Sequence, residues 1–580
     1  MRIFVFITIL LLLHIGATPQ GFLKRSGKNI VNEKGAEFIL RGMGLGGWML
    51  QEPYMLQFST IAYAQNNFKS KIKDLIGEEK TNRFYDAWLS NHCRKADIDS
   101  LASWGFNSVR LPMHYNLYTL PVEEESIAGQ NTWLAKGFAL TDSLLAWCKA
   151  ARIYLILDLH AAPGGQGADA AISDRDTTKP SLWQSEAAQQ KTIALWRKLA
   201  DRYKNESWIG GYDLINETNW GFEKASDKNG CEEKINAPLK SLLQSITKAI
   251  RQVDTTHIIF IEANCWANNY DGIFPLWDSN MVVSFHKYWN NNDVASIKKF
   301  LLIREQQNVP VWMGESGENS NVWFRTAIQL LEENKIGWAW WPLKKLGNNN
   351  PLQIKKNKDY ITLISYLEGK SPKPSIEKSF AALMQLAEDA KIDNNIFHKD
   401  VVDAMFRQTT STATLPFKQN RIETNIYAVD YDLGRLGYAY YDNDTATYWV
   451  STGKGSEWNK GRQYRNDGVD IDVCKDAITN GYAVTSMEKG EWLQYTITAK
   501  KQGRYEINLR AAAIDSTNEI GININNGNMN KLLIKPAKPS SWKTFIVNGI
   551  QLKEGKNFLK VKVVEGNINL NYFQFVPQKK

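Results

Sequence analysis

Five cysteines in 580 residues are too few for a disulfide-dense scaffold, and an odd number cannot pair completely within the chain. Cys93, Cys148, Cys231, Cys265 and Cys474 show no Cys-x-x-Cys spacing, and the seven histidines add no ligand pattern, so no metal centre is expected. Cys231 and Cys265 could bridge in an oxidising compartment; buried free thiols are the equal alternative. The net charge of +9 is modest for this length and no dense Lys/Arg block exists, which argues against a nucleic-acid partner. No internal repeat is visible. After residue 17 no apolar run is long enough to span a bilayer.

Residues 1–17, MRIFVFITILLLLHIGA, carry a basic residue and then an apolar stretch that ends in Gly16 and Ala17. This is the shape of a secretory signal peptide cleaved just after Ala17, so a secreted or periplasmic chain without membrane attachment is expected. An uncleaved anchor is the alternative. Hydrophobic residues make up 43%, enough for a large core. The 21 Trp, 23 Tyr and 23 Phe are an excess that core packing explains only in part. Aromatic faces also stack on the apolar C–H faces of sugar rings, which makes a carbohydrate partner the first reading.

Between residues 36 and 345 short apolar runs alternate with amphipathic stretches. Strands are predicted at 37–42, 107–112, 153–159, 211–216, 257–262, 281–286, 310–314 and 337–342, with helices such as Leu140–Ala151, Ala187–Tyr203, Ala237–Val253 and Trp323–Lys335 between them. This α/β alternation predicts a parallel (β/α)8 TIM barrel, whose chemistry lies at strand C-terminal ends. Polar residues fall there: Arg110, His160, Asn216, Glu217, Glu262, His286 and Glu315. Residues 376–390 and 399–407 read as further helices. The catalytic unit is placed at 22–390 and the linker at 391–419, with the Thr/Ser-rich stretch 408–418 the most linker-like. From 420 to 578 short alternating strands, such as Glu491–Thr498 and Asn557–Val564, predict an all-β, jelly-roll-like sandwich.

Glu217 and Glu315 each close an apolar run, 98 positions apart. A carboxylate in such a place is costly unless it is paired or used. The ordered series NSVRLP (Arg110), LILDLH (His160), LINETN (Asn216, Glu217), SFHKY (His286, Tyr288), WMGESG (Glu315) and WAWWPL (Trp341) resembles glycoside hydrolase family 5, a retaining family on a (β/α)8 barrel. RGMGLGGWMLQEP (41–53) and HAAPGGQ (160–166) resemble its exo-β-1,3-glucanase branch, while the segments after Glu315 and around 116–130 depart from it. The stretches GRLGYAYYDND, YRNDGVDID, GEWLQYTI, GRYEINLRAA and NINLNYFQF resemble a family 6 carbohydrate-binding module.

The first resemblance implies Glu217 as acid/base and Glu315 as nucleophile, with carboxyls about 5–5.5 Å apart. Arg110 would hold Glu315 ionised and Tyr288 would orient it. Asn216 would bond the sugar 2-OH, His160 and His286 would hold hydroxyls or tune Glu217, and Trp341 would floor the cleaved sugar. Glu52 would bond the terminal sugar. Glu262 reads as a strand-end carboxylate without a catalytic part, and Glu318 as the rival nucleophile. The module resemblance implies sugar binding by Tyr464, Trp542 and Asn569, with a structural calcium near Ile422–Asn425. No cofactor is expected for catalysis. The expected activity is retaining hydrolysis of β-1,3- or β-1,4-glucan by a monomer. The alternatives are a mannanase, xylanase or transglycosidase, or a non-catalytic glycan-binding protein.

Overall fold

The computed structural model describes residues 21–224, 226–447, 458–535 and 541–578; the expected signal segment lies outside them. Eight parallel strands close a barrel: β1 (Arg41–Gly44), β2 (Ser108–His114), β3 (Tyr154–Ala161), β4 (Ile209–Asp213), β5 (Ile259–Ile261), β6 (Met281–His286), β7 (Val311–Gly317) and β8 (Gly337–Trp341). Strand β8 pairs with both β7 and β1, so no edge is left. Every residue of β2 through β8 is buried. That follows from a sheet with side chains filling one face and helices covering the other. The period of two sorts the side chains. On β8, Trp338 and Trp340 pack outward against Phe106 and Phe324, while Trp341 belongs to the rim.

The helices Ala135–Ala151, Glu186–Tyr203, Ala237–Arg251, Val294–Gln307 and Asn321–Glu333 follow β2, β3, β4, β6 and β7. Between β5 and β6 the crossover shrinks to a turn, Asn264–Ala267, in which Cys265 and Trp266 adopt left-handed backbone. Cys265 forms a disulfide with Cys231 in the loop after β4, while Cys93, Cys148 and Cys474 are buried free thiols.

Two expectations are corrected. The first barrel strand is Arg41–Gly44 rather than 37–42, because Glu37 and Phe38 join the hairpin Lys24–Ser26/Asn29–Val31: Glu37 bridges Val31 and the Phe38 N–H donates to Ile30 O. The linker placed at 391–419 is not one over much of its length. Ile396–Phe397 pairs with Leu352–Gln353, and the helix Lys399–Met405 packs on helix Asn321–Glu333. Val401 and Met405 are fully buried in the barrel's core, and Phe406 stands on Phe106 and Trp338. Their burial holds a segment whose polar flanks look like a linker.

The sandwich stacks two sheets. One runs Asn420–Arg421, Trp492–Ala499, Gly555–Glu565, Asn518–Ile524, Asn530–Ile534, and the other Ile471–Val473, Tyr482–Glu488, Asn567–Pro577, Gly503–Ala513, Lys543–Leu552. Its own core, including Ile497, Leu509, Val561 and Phe573, lies between them. No helix among the described residues is long and apolar enough to cross a membrane.

Met405→Ala should destabilise the barrel by about 2–5 kcal/mol through the cavity it leaves. Chemical denaturation followed by tryptophan fluorescence would show this; an unchanged transition would return 399–405 to the linker.

Candidate active site

Arg110 projects from the middle of β2 into the barrel and is fully buried. Its Nε donates to Asp213 Oδ2 (3.0 Å), Nη1 to Glu315 Oε1 (3.0 Å), and Nη2 to Glu262 Oε1 and Asn216 Oδ1 (both 2.8 Å). Asp158 Oδ1 lies 3.3 Å from Nη2. One guanidinium thus ties β2 to groups on β3, β4 and β7 and to the residues just beyond β4 and β5. Its fork of fixed donors suits that task, as a lysine's point charge would not. Burial, with Glu262 beside it, raises Asp213 well above the usual carboxylate range against the pull of Arg110. Glu262 goes the other way: burial opposes its ionisation, but His286 and Arg110 hold it down at about 2.

Glu217 and Glu315 meet on the C-terminal rim with His286 between them. His286 Nδ1 lies 2.6 Å from Glu217 Oε1 and 3.5 Å from Glu315 Oε2, and its Nε2 lies 3.1 Å from Glu262 Oε1. Burial alone would lower the His286 pKa; Glu262, Glu315 and Glu217 reverse that and raise it well above normal. An imidazolium that donates from both nitrogens satisfies both flanking carboxylates. Oxygens of Glu217 and Glu315 lie within 4.8 Å of one another. Glu315 also accepts from the Tyr288 hydroxyl at 3.2 Å. Arg110 favours the ionised form of Glu315, as expected, but does not decide it. Burial and repulsion from Glu217 outweigh His286 and Arg110 and push it up to about 7.

Glu217 has left-handed backbone (φ 41°), and its N–H donates to Glu262 Oε2 at 2.7 Å. Such a conformation costs a non-glycine residue on the order of 1–3 kcal/mol and persists where its surroundings impose it. Glu262 therefore holds Glu217 by the backbone and shares His286 with it, a positioning part that the sequence does not show.

His160 Nδ1 is 2.8 Å from Asp158 Oδ2, and its Nε2 is 3.3 Å from Asn216 Nδ2. The Asn216 amide can donate to Nε2 if the His160 proton sits on Nδ1. The His160 ring stacks on Trp341, with centroids 5.0 Å apart and planes 10° from parallel. Trp341 Nε1 donates to the Tyr54 hydroxyl at 3.1 Å. A Cβ on Gly44 or Gly46 would come within 2.4 or 2.7 Å of the Trp341 ring, which explains the glycines of RGMGLGG. Glu52 Oε1 is 3.9 Å from His160 Nε2, and burial with repulsion from Glu315, Glu318 and Glu217 raises its pKa well above normal. Glu217, Glu315 and Glu52 keep 6, 5 and 8% of their surface, so the centre is a narrow, largely dry recess. Glu318, the rival nucleophile, is paired with Lys345 at 2.6 Å.

All seven barrel residues expected to bind substrate thus surround the two carboxylates. Asp158, Asp213 and Tyr54 were missed. Asp158 carried a usable signal, since it stands two before His160 on one strand face. The module residues do not converge. The Tyr464 hydroxyl donates to Asp430 Oδ1 (2.5 Å), and its ring packs between Phe417 and Tyr482. Asn569 instead accepts from the Ser486 N–H (2.8 Å), about 13 Å further along the strand that starts with Tyr482. Trp542 precedes Lys543, the partner of Ala511, and Asn569 pairs with Ala512, so these two share one end of a sheet. Tyr464 instead lies against Tyr482 and Phe417, and Arg465 and Asn466, which follow it, are buried.

Glu217, His286 and Glu315 also have the spacing of a metal site among the described residues. A proton on His286, which the neighbouring carboxylates favour, would compete with a cation for its ring nitrogens. Replacing Arg110 with Met should cost about 3–5 kcal/mol of stability, since it strands several buried carboxyl groups. Denaturant titration would measure it; a loss below about 1 kcal/mol would mean that the cluster is held by other contacts.

Residues 66–347 match the cellulase profile of glycosyl hydrolase family 5. Residues 465–575 match carbohydrate-binding module family 35, which replaces the family 6 resemblance. A beta-xylosidase of Phanerodontia chrysosporium is 26% identical over 381 residues, covering 59% of this chain and 75% of that protein. Endoglucanase C of Acetivibrio thermocellus is 24% identical over 312 residues, covering 43% and 83%. A probable glucan 1,3-beta-glucosidase A of Aspergillus clavatus is 27% identical over 187 residues, covering 31% and 41%. The barrel of this chain thus matches a family 5 glycoside hydrolase domain, and the sandwich matches a carbohydrate-binding module.

Proposed function

We propose that the chain is an exported retaining glycosidase that cleaves β-glucosidic bonds in β-glucans. The observation that carries this reading is the pair Glu217 and Glu315, with oxygens within 4.8 Å of each other and His286 between them. Retaining enzymes hold their carboxyls about 5–5.5 Å apart, while inverting enzymes leave about 6.5–9.5 Å for a water. Glu315 attacks the anomeric carbon as the proton on Glu217 passes to the departing glycosidic oxygen. A glycosyl ester on Glu315 results. Water then attacks that carbon, gives its proton to Glu217 and frees Glu315.

The donors favour this assignment over its reverse. Glu315 accepts from Arg110 and Tyr288, which stabilise a negative nucleophile. Glu217 faces His286, a proton carrier 2.6 Å away. The names of the three relatives all point to β-linked sugars, and the xylosidase makes β-xylosides the second reading. The Cys231–Cys265 disulfide supports export to an oxidising compartment. A calcium near the exposed Glu423 remains a proposal of the module resemblance.

Glu217→Ala and Glu315→Ala should each abolish turnover of laminarin, cellulose and mixed-linkage glucan. The first sugar released by wild type should be the β-anomer by proton NMR; an α-anomer would exclude the mechanism. Xylan and mannan in the same panel decide the substrate class.

With an activated aryl glycoside, whose departure needs no acid, kcat/KM should rise with pH as Glu315 loses its proton, with a midpoint near 7. Removing the neighbouring charge in Glu217→Gln should move that midpoint to lower pH. An unchanged midpoint would show that Glu217 does not set the ionisation of Glu315.

A further inference from the structure

The two domains meet through buried hydrogen bonds directly behind the nucleophile. The Asn321 N–H donates to Asn466 O (2.8 Å), and Asn466 Nδ2 donates to Asn319 O (2.9 Å) and Asn321 Oδ1 (3.1 Å). The Asn466 N–H and Asn321 Nδ2 both donate to Asp400 Oδ2, at 2.9 and 2.7 Å, and the Ser320 hydroxyl donates to Ala446 O. Asn319, Ser320, Asn321, Asp400 and Asn466 are all buried. Asn319 Nδ2 and Asp400 Oδ1 have no partner, but the remaining buried polar bonds across the seam favour one arrangement. The segment 319–321 begins four residues after Glu315, so the sandwich is fastened to the loop that follows the nucleophile's strand.

Beside that seam lies a cavity of about 460 Å³, lined from both domains. The barrel contributes Tyr54, Trp289, Glu318 and Lys345, and the sandwich contributes Trp458 and Arg462 among others. Trp458 is held by its Nε1–H, which donates to Asn466 Oδ1 (3.1 Å), and the Arg462 carbonyl accepts from Asn348 Nδ2 (3.2 Å). The cavity adjoins the catalytic recess, because Tyr54 bonds Trp341 and Glu318 lies three residues past Glu315. Its barrel residues follow β1, β6, β7 and β8. None follows β3, β4 or β5, the strands around Glu217. The volume falls within the range of small-ligand sites, about 300–1,000 Å³. Three aromatic rings with two cations and a carboxylate can stack on sugar faces and bond their hydroxyls.

We propose that the sandwich supplies part of the substrate site itself: Trp458 and Arg462 complete a subsite for sugar units on the nucleophile side of the cleaved bond, away from the leaving group. This rests on the glycosidase reading and deepens it. The module is then a wall of the cleft, beyond any role in holding the enzyme on polymer.

The test uses the full chain with Trp458→Ala and Arg462→Ala, on aryl β-glycosides carrying one, two or three sugars ahead of the aryl group. Wild type should gain kcat/KM when the second sugar is added. Each variant should lose about tenfold on the two- and three-sugar substrates, as buried Trp and Arg contacts often cost. Each should keep the one-sugar rate and the melting temperature. Arg462 is exposed, so its variant is a check against simple misfolding of the Trp458 variant. The assignment is overturned if wild type gains nothing from the second sugar, if both variants keep that gain, or if both lose rate equally on all substrates. Absence of turnover on every glycoside would overturn the glycosidase reading, whereas turnover with an unchanged length profile overturns this inference alone.

Discussion

The rim at the C-terminal ends of the barrel strands depends on one buried cation. Arg110 has no solvent to complete its hydrogen bonding, so it takes its partners from neighbouring strands and loops: Asp213, Glu262, Glu315 and Asn216, with Asp158 beside them. Stripping a guanidinium of water is expensive, and only a dense shell of acceptors offsets it. That shell brings the ends of β3, β4, β5 and β7 to fixed positions. His160 hangs on Asp158, and Glu217 and His286 hang on Glu262. The geometry of the two reactive carboxylates is in this sense a consequence of how one charge is buried.

Packing several carboxyl groups around two cations also sorts their protonation. Burial with Glu262 nearby pushes Asp213 up, His286 and Arg110 hold Glu262 down at about 2, and Glu315 is pushed up to about 7. Burial, repulsion between neighbouring carboxylates and attraction to Arg110 and His286 together separate them. The strained backbone of Glu217 fits the same scheme, since Glu262 accepts its N–H at the cost of a left-handed φ. Glu262 was taken from the sequence as an idle strand-end carboxylate, and the structure makes it the link between Arg110, His286 and Glu217.

The relation of the two domains differs from a tether between independent bodies. The helix Lys399–Met405 returns to the barrel, and Asp400 on that helix accepts from both Asn321 and Asn466. The sandwich is therefore gripped by two barrel elements that precede the polar stretch read as linker. A short Thr/Ser-rich segment marks where the covalent chain crosses, and says nothing of how much surface is buried beside it.

Much was legible in the sequence. Alternation of apolar runs with amphipathic stretches yields the barrel, because the periods of strand and helix follow from backbone geometry. Polar residues that close buried runs yield the rim: Arg110, His160, Asn216, Glu217, His286 and Glu315 all stand there, since a costly placement must have a use. The change to short alternating strands after 420 yields the sandwich. Other features follow from contacts between residues far apart in the chain. Phe38 joins a hairpin in place of β1, Met405 is core, and Tyr464 is drawn away from Asn569 towards the seam with the barrel. The ionisation of Glu315 belongs with these, as it sums burial and four charges from four other segments. Local pattern determines which residues lie on which face. Burial and long-range charge depend on what the rest of the chain places opposite, and only the tertiary structure decides that.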